Sequence, residues 1–215
     1  MEDKMIRKLD DRGLSLVELV IAIAMSTIVL GAVMSFLYGA QKSYRTAEYT
    51  VNLQMEAQLL MEQMSNWVME SNHIEIGGIE DSNYLVLYQI PRSKIEDTTL
   101  VRLETLGTRK IIYMNNGKLY IKIDNEASAG AFESEIKNDT LDTSFLTGTP
   151  DEEYCIGEYV ISFTAKVPDG VDPNKINSVN VDIDMYEGLP SQSQSYSISD
   201  RFSLRNAVYV VESDE

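Results

Sequence analysis

From Leu14 to Leu37 the chain is an apolar run that carries a single charge, Glu18, and such a run has few places to go. As a helix it would extend about 36 Å at 1.5 Å per residue, enough to cross the hydrocarbon layer of a bilayer with some tilt. Ser26, Thr27 and Ser35 are tolerable there because their hydroxyls bond back to the preceding turn. Gly31 and Ala32 offer small surfaces to a neighbouring helix. A carboxylate at membrane depth costs roughly 2.5–3.5 kcal/mol or more, so Glu18 is expected to have a partner and a function. The bland alternative is a polar residue near the start of a simple anchor, snorkelling to the interface.

The residues before the run sharpen this. Lys4, Arg7, Lys8 and Arg12 precede a single Gly13, and Leu14-Ser15-Leu16-Val17-Glu18 opens the apolar stretch. No small-residue cleavage site closes it, so this is not an ordinary secretory signal. Only Lys42 and Arg45 follow closely, so the amino terminus is expected in the cytoplasm with the remainder crossing. These residues resemble the class III signal of type IV pilins and type II secretion pseudopilins. The resemblance implies a prepilin peptidase that cuts between Gly13 and Leu14 and methylates the new terminus at Leu14. Asp10-Asp11 makes this leader less basic than is usual in the family. Glu18 would become the fifth residue of the mature chain. There its carboxylate would neutralise the Leu14 ammonium of a neighbouring subunit during assembly, because an unpaired buried charge costs far more than a paired one.

Past the apolar run nothing breaks a helix: the first proline is Pro91, and no glycine lies between Gln41 and Asn72. Leu53, Ala57, Leu60, Met64, Trp67 and Val68 follow one helical face, with Glu48, Glu56 and Glu62 among the polar residues around it. One nearly continuous helix is therefore expected from Leu14 to Asn72, with Trp67 and the methionines in a core. Gly77-Gly78 is read as the end of the helical pattern. Strands are expected at Tyr84–Tyr88, Glu158–Val167, Ser178–Tyr186 and Ser195–Asn206. Lys110–Met114 and Lys118–Ile123 flank Asn115-Asn116-Gly117 as a hairpin, since Asn-Gly supplies the positive backbone angles of such a turn. Asn125–Pro150 reads as a long polar loop. The expected organisation is a leader at 1–13, a membrane or filament-core helix at 14–40, its amphipathic continuation at 41–76, and a strand-rich extracytoplasmic domain at 77–215. The fold class is α+β, a long amino-terminal helix packed on an antiparallel sheet, which the pilin resemblance also implies.

The ending through Arg205-Asn206 is similar to that of minor pseudopilins of the J class and the minor pilins called W, where a strand often closes in an Arg-Asn pair. The implied role is a structural subunit of a type IV pilus or secretion pseudopilus, at its initiation or tip complex. The implied partners are the prepilin peptidase, other minor subunits, the major subunit, an inner-membrane assembly platform and, before assembly, membrane lipid. The other readings are a surface adhesin or ligand-binding module delivered by the pilin helix, and an anchored domain that never polymerises.

Composition excludes more than it suggests. The leader's four bases cancel Glu2, Asp3, Asp10 and Asp11, so the net charge of −16 belongs to the rest of the chain. That acidity argues against a nucleic-acid partner. Cys155 is the sole cysteine, so no intrachain disulfide forms and a buried, inert thiol is expected. His73, the sole histidine, falls at the expected helix end as a charge partner or cap. With no nucleophile elbow, phosphate loop or paired His/Cys spacing, the chain reads as a peptidase substrate and not as an enzyme, with no cofactor. Asp169, Asp172 and Asn174 form a candidate calcium loop, although Asp, Asn, Gly and Pro also make ordinary turns. Asn138-Asp139-Thr140 fits a glycosylation sequon by chance or by design.

Overall fold

A computed structural model describes residues 15–79, 82–95, 100–102, 105–129, 132, 135, 145, 148–172, 175–187 and 194–211. The chain divides into two compact units, Met1–Arg45 and Thr46–Glu215. Helix α1, Leu16–Glu70, runs through both.

In the first unit the described residues are helical from Leu16 onward, and every one is exposed. Ser26 donates to the Ala22 carbonyl at 2.7 Å and Thr27 to Ala24 at 2.8 Å, the back-bonding that removes two hydroxyls from an apolar surround.

In the second unit α1 buries Leu53, Ala57, Leu60, Met61, Met64 and Val68. Trp67 packs half-buried against the same core. The helix stops at Glu70, before the expected boundaries of Asn72 and residue 76. The Ser71 hydroxyl donates to the Trp67 carbonyl at 2.6 Å. The Asn72 amide then brackets Ile90, accepting from its N–H at 2.9 Å and donating to its carbonyl at 2.8 Å. His73–Ile79 is strand β1, and Gly77-Gly78 lies inside it. Gly77 ends no helix; it sits opposite Tyr84 in register, and a Cβ there would collide with the Tyr84 ring.

Strand β2 is Ser82–Gln89, β3 Leu100–Arg102, β4 Leu106–Asn115, β5 Lys118–Ser128, β6 Cys155–Gly157, β7 Val160–Lys166, β8 Ser178–Glu187, β9 Gln194–Ser203 and β10 Tyr209–Val211. They form a five-stranded antiparallel sheet in the order β1-β2-β4-β5-β6, a three-stranded antiparallel sheet β7-β8-β9, and a parallel pair β3-β10. The fold is thus a long amino-terminal helix with antiparallel sheets, an α+β arrangement consistent with a pilin-like fold.

The expected hairpin is β4-β5, closed by Asn116 and Gly117 at φ 48° and 76°, with Asn115 already paired to Lys118. The polar region from Asn125 begins as strand, not loop: β5 continues to Ser128 because the start of β4 offers it an edge, pairing Leu106 with Ser128. Glu126, at φ 63°, absorbs the local irregularity.

Side chains alternate to two cores. Leu85, Leu87, Ile112, Leu119 and Ile121 face the core that also holds the helix residues and Val179, Val181, Ile183 and Met185 of β8. Tyr84, Val86, Tyr88, Ile111, Tyr113 and Tyr120 point the other way, against Phe132, Val101 and Val208. On that second face a polar row crosses four strands in direct register, His73, Tyr88, Arg109 and Asp124. Arg109, 4% exposed, donates to Asp124 at 2.9 Å and to Glu135 at 2.7 Å, with Phe132 beneath its guanidinium at 5.2 Å. Burial alone would depress the Arg109 pKa, but the hydrogen bonds it donates to Glu135 and Asp124 outweigh burial and hold the cation.

Candidate functional site

The helix start is built by a short local motif. Ser15 precedes the first helical residue, Leu16, and Glu18 stands three positions on. The Ser15 N–H donates to Glu18 Oε2 at 2.9 Å, and the Leu19 N–H donates to the Ser15 carbonyl at 3.1 Å. Ser-x-x-Glu is the spacing of a capping box, in which the glutamate satisfies a backbone donor that the first turn leaves open. A carboxylate there also complements the positive end of the helix dipole. Glu18 therefore has a partner within its own chain, one the sequence signalled through Ser15. Gly13 and Leu14 lie outside the described residues.

After this cap the apolar surface has no cover. Leu16, Ile28, Met34 and Phe36 are each at least two-thirds exposed. The helix contains a window with mean hydropathy 2.4, none of it buried. Leaving that surface in water opposes the hydrophobic effect, so it belongs in lipid or among other helices.

The remaining candidates are placed as follows. His73 sits in β1, not at a helix terminus, and its Nδ1 donates to the Val208 carbonyl at 3.2 Å. Burial lowers its pKa, opposed by that hydrogen bond. Its ring lies 5.5 Å from Tyr88, and its Nε2 is 4.0 Å from Glu75. Cys155 is half-buried in β6 with its pKa raised first by burial, and its Sγ reaches the Gly157 carbonyl at 3.5 Å. Asp169 precedes Gly170, a glycine at φ 82°, in an exposed turn. The Asp172 carbonyl accepts from the Lys175 N–H at 2.8 Å. Asn174 and the sequon Asn138-Asp139-Thr140 lie outside the described residues. Among the described residues no group of three or more His, Cys, Asp or Glu is placed to hold a metal. Strand β9 ends at Ser203, so Arg205-Asn206 forms an exposed bend beyond it and does not close the strand. The chain then returns to the helix end, where the Val208 N–H donates to the Asn72 carbonyl at 2.7 Å.

One concavity corresponds to no motif in the sequence. It encloses about 730 Å³ beside β4 and β5, lined by Tyr113, Ile121, Lys122, Phe145, Asp151 and Tyr154 among others. The Lys122 ammonium stands 4.4 Å from the Phe145 ring centre.

Residues 8–34 match the family described as the prokaryotic N-terminal methylation motif. The match supports a type IV pilin-like protein. With the exposed apolar helix it also supports membrane anchoring and processing by a prepilin peptidase. No curated protein and no solved structure matches the chain.

Proposed function

We propose that the chain is a minor pilin or pseudopilin, a structural subunit of a type IV pilus or type II secretion pseudopilus. The observation that carries this reading is one helix whose first half is wholly exposed and apolar while its second half is built into a β-rich domain. A leader carrying Lys4, Arg7, Lys8 and Arg12 and ending in Gly13 stands before it. The peptidase cuts between Gly13 and Leu14 and methylates Leu14. The precursor spans the inner membrane with its amino terminus in the cytoplasm, and the domain from residue 77 onward lies outside. On assembly, Glu18 exchanges its own Ser15 N–H for the Leu14 ammonium of a neighbour. The bulk of one domain per helix favours the initiation or tip complex over the shaft. Other minor subunits, the major subunit and the assembly platform are the partners, and calcium at Asp169 and Asp172 has no part in this reading.

The test is intact and amino-terminal mass spectrometry of the protein from its native host, with and without the prepilin peptidase. A chain beginning at methylated Leu14 only when the peptidase is present is the expected result. A chain that keeps Met1 to Gly13 in both strains sinks the proposal.

The concavity favours a second reading, a ligand-binding module delivered by the pilin helix. Its volume is in the usual range of small-molecule sites, and aromatic rings with a few polar groups line it. Saturable binding of a soluble glycan or peptide, lost in Tyr113→Ala or Tyr154→Ala, would move the role from assembly to recognition.

A further inference from the structure

The second half of α1 has two apolar faces, and only one is used by the domain. Leu53, Ala57, Leu60, Met61, Met64 and Val68 are buried. On the opposite side Val51, Met55 and Leu59 are 51%, 65% and 54% exposed, and Met69 is 50% exposed. At 100° per residue the first three fall within one 80° arc, and Met69 returns to the azimuth of Val51. Val51, Met55 and Leu59 form an i, i+4, i+8 ridge, the kind that fits the groove of another helix. Lipid is not its natural cover, because the run Leu14–Leu37 is already long enough to span the hydrocarbon layer and this ridge lies beyond it in the chain.

The charges around the ridge say what fits. Between Thr46 and Glu70 the charged residues are Glu48, Glu56, Glu62 and Glu70, with no lysine or arginine. Glu56 accepts from the Glu158 N–H at 2.6 Å and Glu70 pairs with Lys110 at 3.1 Å, so both are engaged within the domain. Glu48 and Glu62 are exposed and share the arc of the ridge. A second copy of this chain would bring the same carboxylates to the contact and a further net charge of −16. Like charges set against each other across an interface oppose association.

We infer that Val51, Met55 and Leu59 are a docking ridge for a helix of a different subunit, one whose apolar stripe is bordered by lysine or arginine. This deepens the filament-subunit reading and rests on it for the identity of the partner as a subunit. It makes the chain a hetero-assembling component: its second helical face selects a cationic neighbour and rejects its own kind.

The test uses the full chain, purified from its native host into nanodiscs of neutral phosphatidylcholine. The probes are two synthetic amphipathic helices with the same leucine stripe, one bordered by lysine and one by glutamate. The lysine-bordered helix is expected to bind about tenfold more tightly, the size a few exposed ion pairs supply. Val51→Ser/Met55→Ser/Leu59→Ser, which leaves the net charge and the buried face unchanged, should remove that binding. Glu48→Lys/Glu62→Lys should shift the preference toward the glutamate-bordered helix. Equal binding of both probes, full binding by the serine variant, equal uptake by empty nanodiscs, or ridge-dependent self-association in sedimentation would each overturn the inference. Mass spectrometry of the same preparation separates the two ideas. Ridge binding by a chain that was never cut at Gly13 leaves the ridge standing and removes the pilin reading. A mature Leu14 terminus with no ridge binding does the reverse.

Discussion

The two halves of α1 share a backbone conformation and almost nothing else. From Leu16 to Arg45 every residue is exposed, and the first turn is closed by the helix's own Ser15 and Glu18. From Thr46 to Glu70 one face is buried in a core shared with seven strands, and the end is pinned by Asn72 to Ile90. A single pattern of local propensity thus serves two environments. In the second half the sheet supplies the cover that makes an amphipathic helix stable in water. In the first half the cover must come from another phase or another chain.

The largest test of that contrast is a matched pair of truncations. Leu60→Ala, at a side chain that is 1% exposed, should destabilise the domain by about 2–5 kcal/mol. Leu30→Ala, at a residue 62% exposed, should leave the domain's unfolding free energy within about 0.5 kcal/mol of the parent. Equal losses at both positions in denaturant titration would erase the distinction. Asn72→Ala comes next: stranding the Ile90 N–H and carbonyl should cost about 1–3 kcal/mol. Hydrogen exchange at Ile90 should rise with it.

A smaller effect is tied to pH. His73 has its pKa lowered in the folded state by burial, so the unfolded chain binds the extra proton more readily below about pH 6.5. Stability from His73 is therefore complete above that pH and is lost as the pH falls through the window below it. His73→Gln should flatten that limb of the stability profile, and a limb that is unchanged would place the proton elsewhere. Smallest for folding is Glu18→Gln, because glutamine can still accept the Ser15 N–H in a capping box. Helicity of the first turns should hold within about 0.5 kcal/mol, while incorporation into filaments falls if the charge itself pairs between subunits. Normal incorporation would reduce Glu18 to a cap.

Much of this was legible because it is periodic or local. The buried set Leu53, Ala57, Leu60, Met64 and Val68 follows from 3.6-residue spacing, and β8 from strict alternation through Val179, Val181, Ile183 and Met185. The Asn116-Gly117 turn is a two-residue signal. What stayed hidden depends on distant residues. Gly77 looked like a helix stop because its reason for being glycine, the Tyr84 ring across the strand pair, is a tertiary contact. Strands β3 and β10 are three residues each, too short for periodicity, and they find each other from opposite ends of the domain. Arg109 meets Asp124 and Glu135 across separations of 15 and 26 residues, and nothing in the surrounding sequence distinguishes it from a surface arginine. The Ser15–Glu18 cap is local, a Ser-x-x-Glu spacing at the start of the helix, and the same carboxylate also stands in an apolar run, where the cost of membrane depth points to a partner outside the chain.

The row His73, Tyr88, Arg109, Asp124 has a further consequence during folding, when strands can mispair. Neighbouring strands could slide by one residue and still present valines, isoleucines and tyrosines to either side, since β2 is buried on both faces. A slip of β4 would turn Arg109 to the helix-facing side, where Glu70 is already paired with Lys110, and take it away from both Asp124 and Glu135. Separating a buried charge from its partners costs several kcal/mol. Side-chain direction reverses with every one-residue shift, so this one arginine penalises each one-residue slip of β4. The buried charge works as an error check on assembly of the sheet.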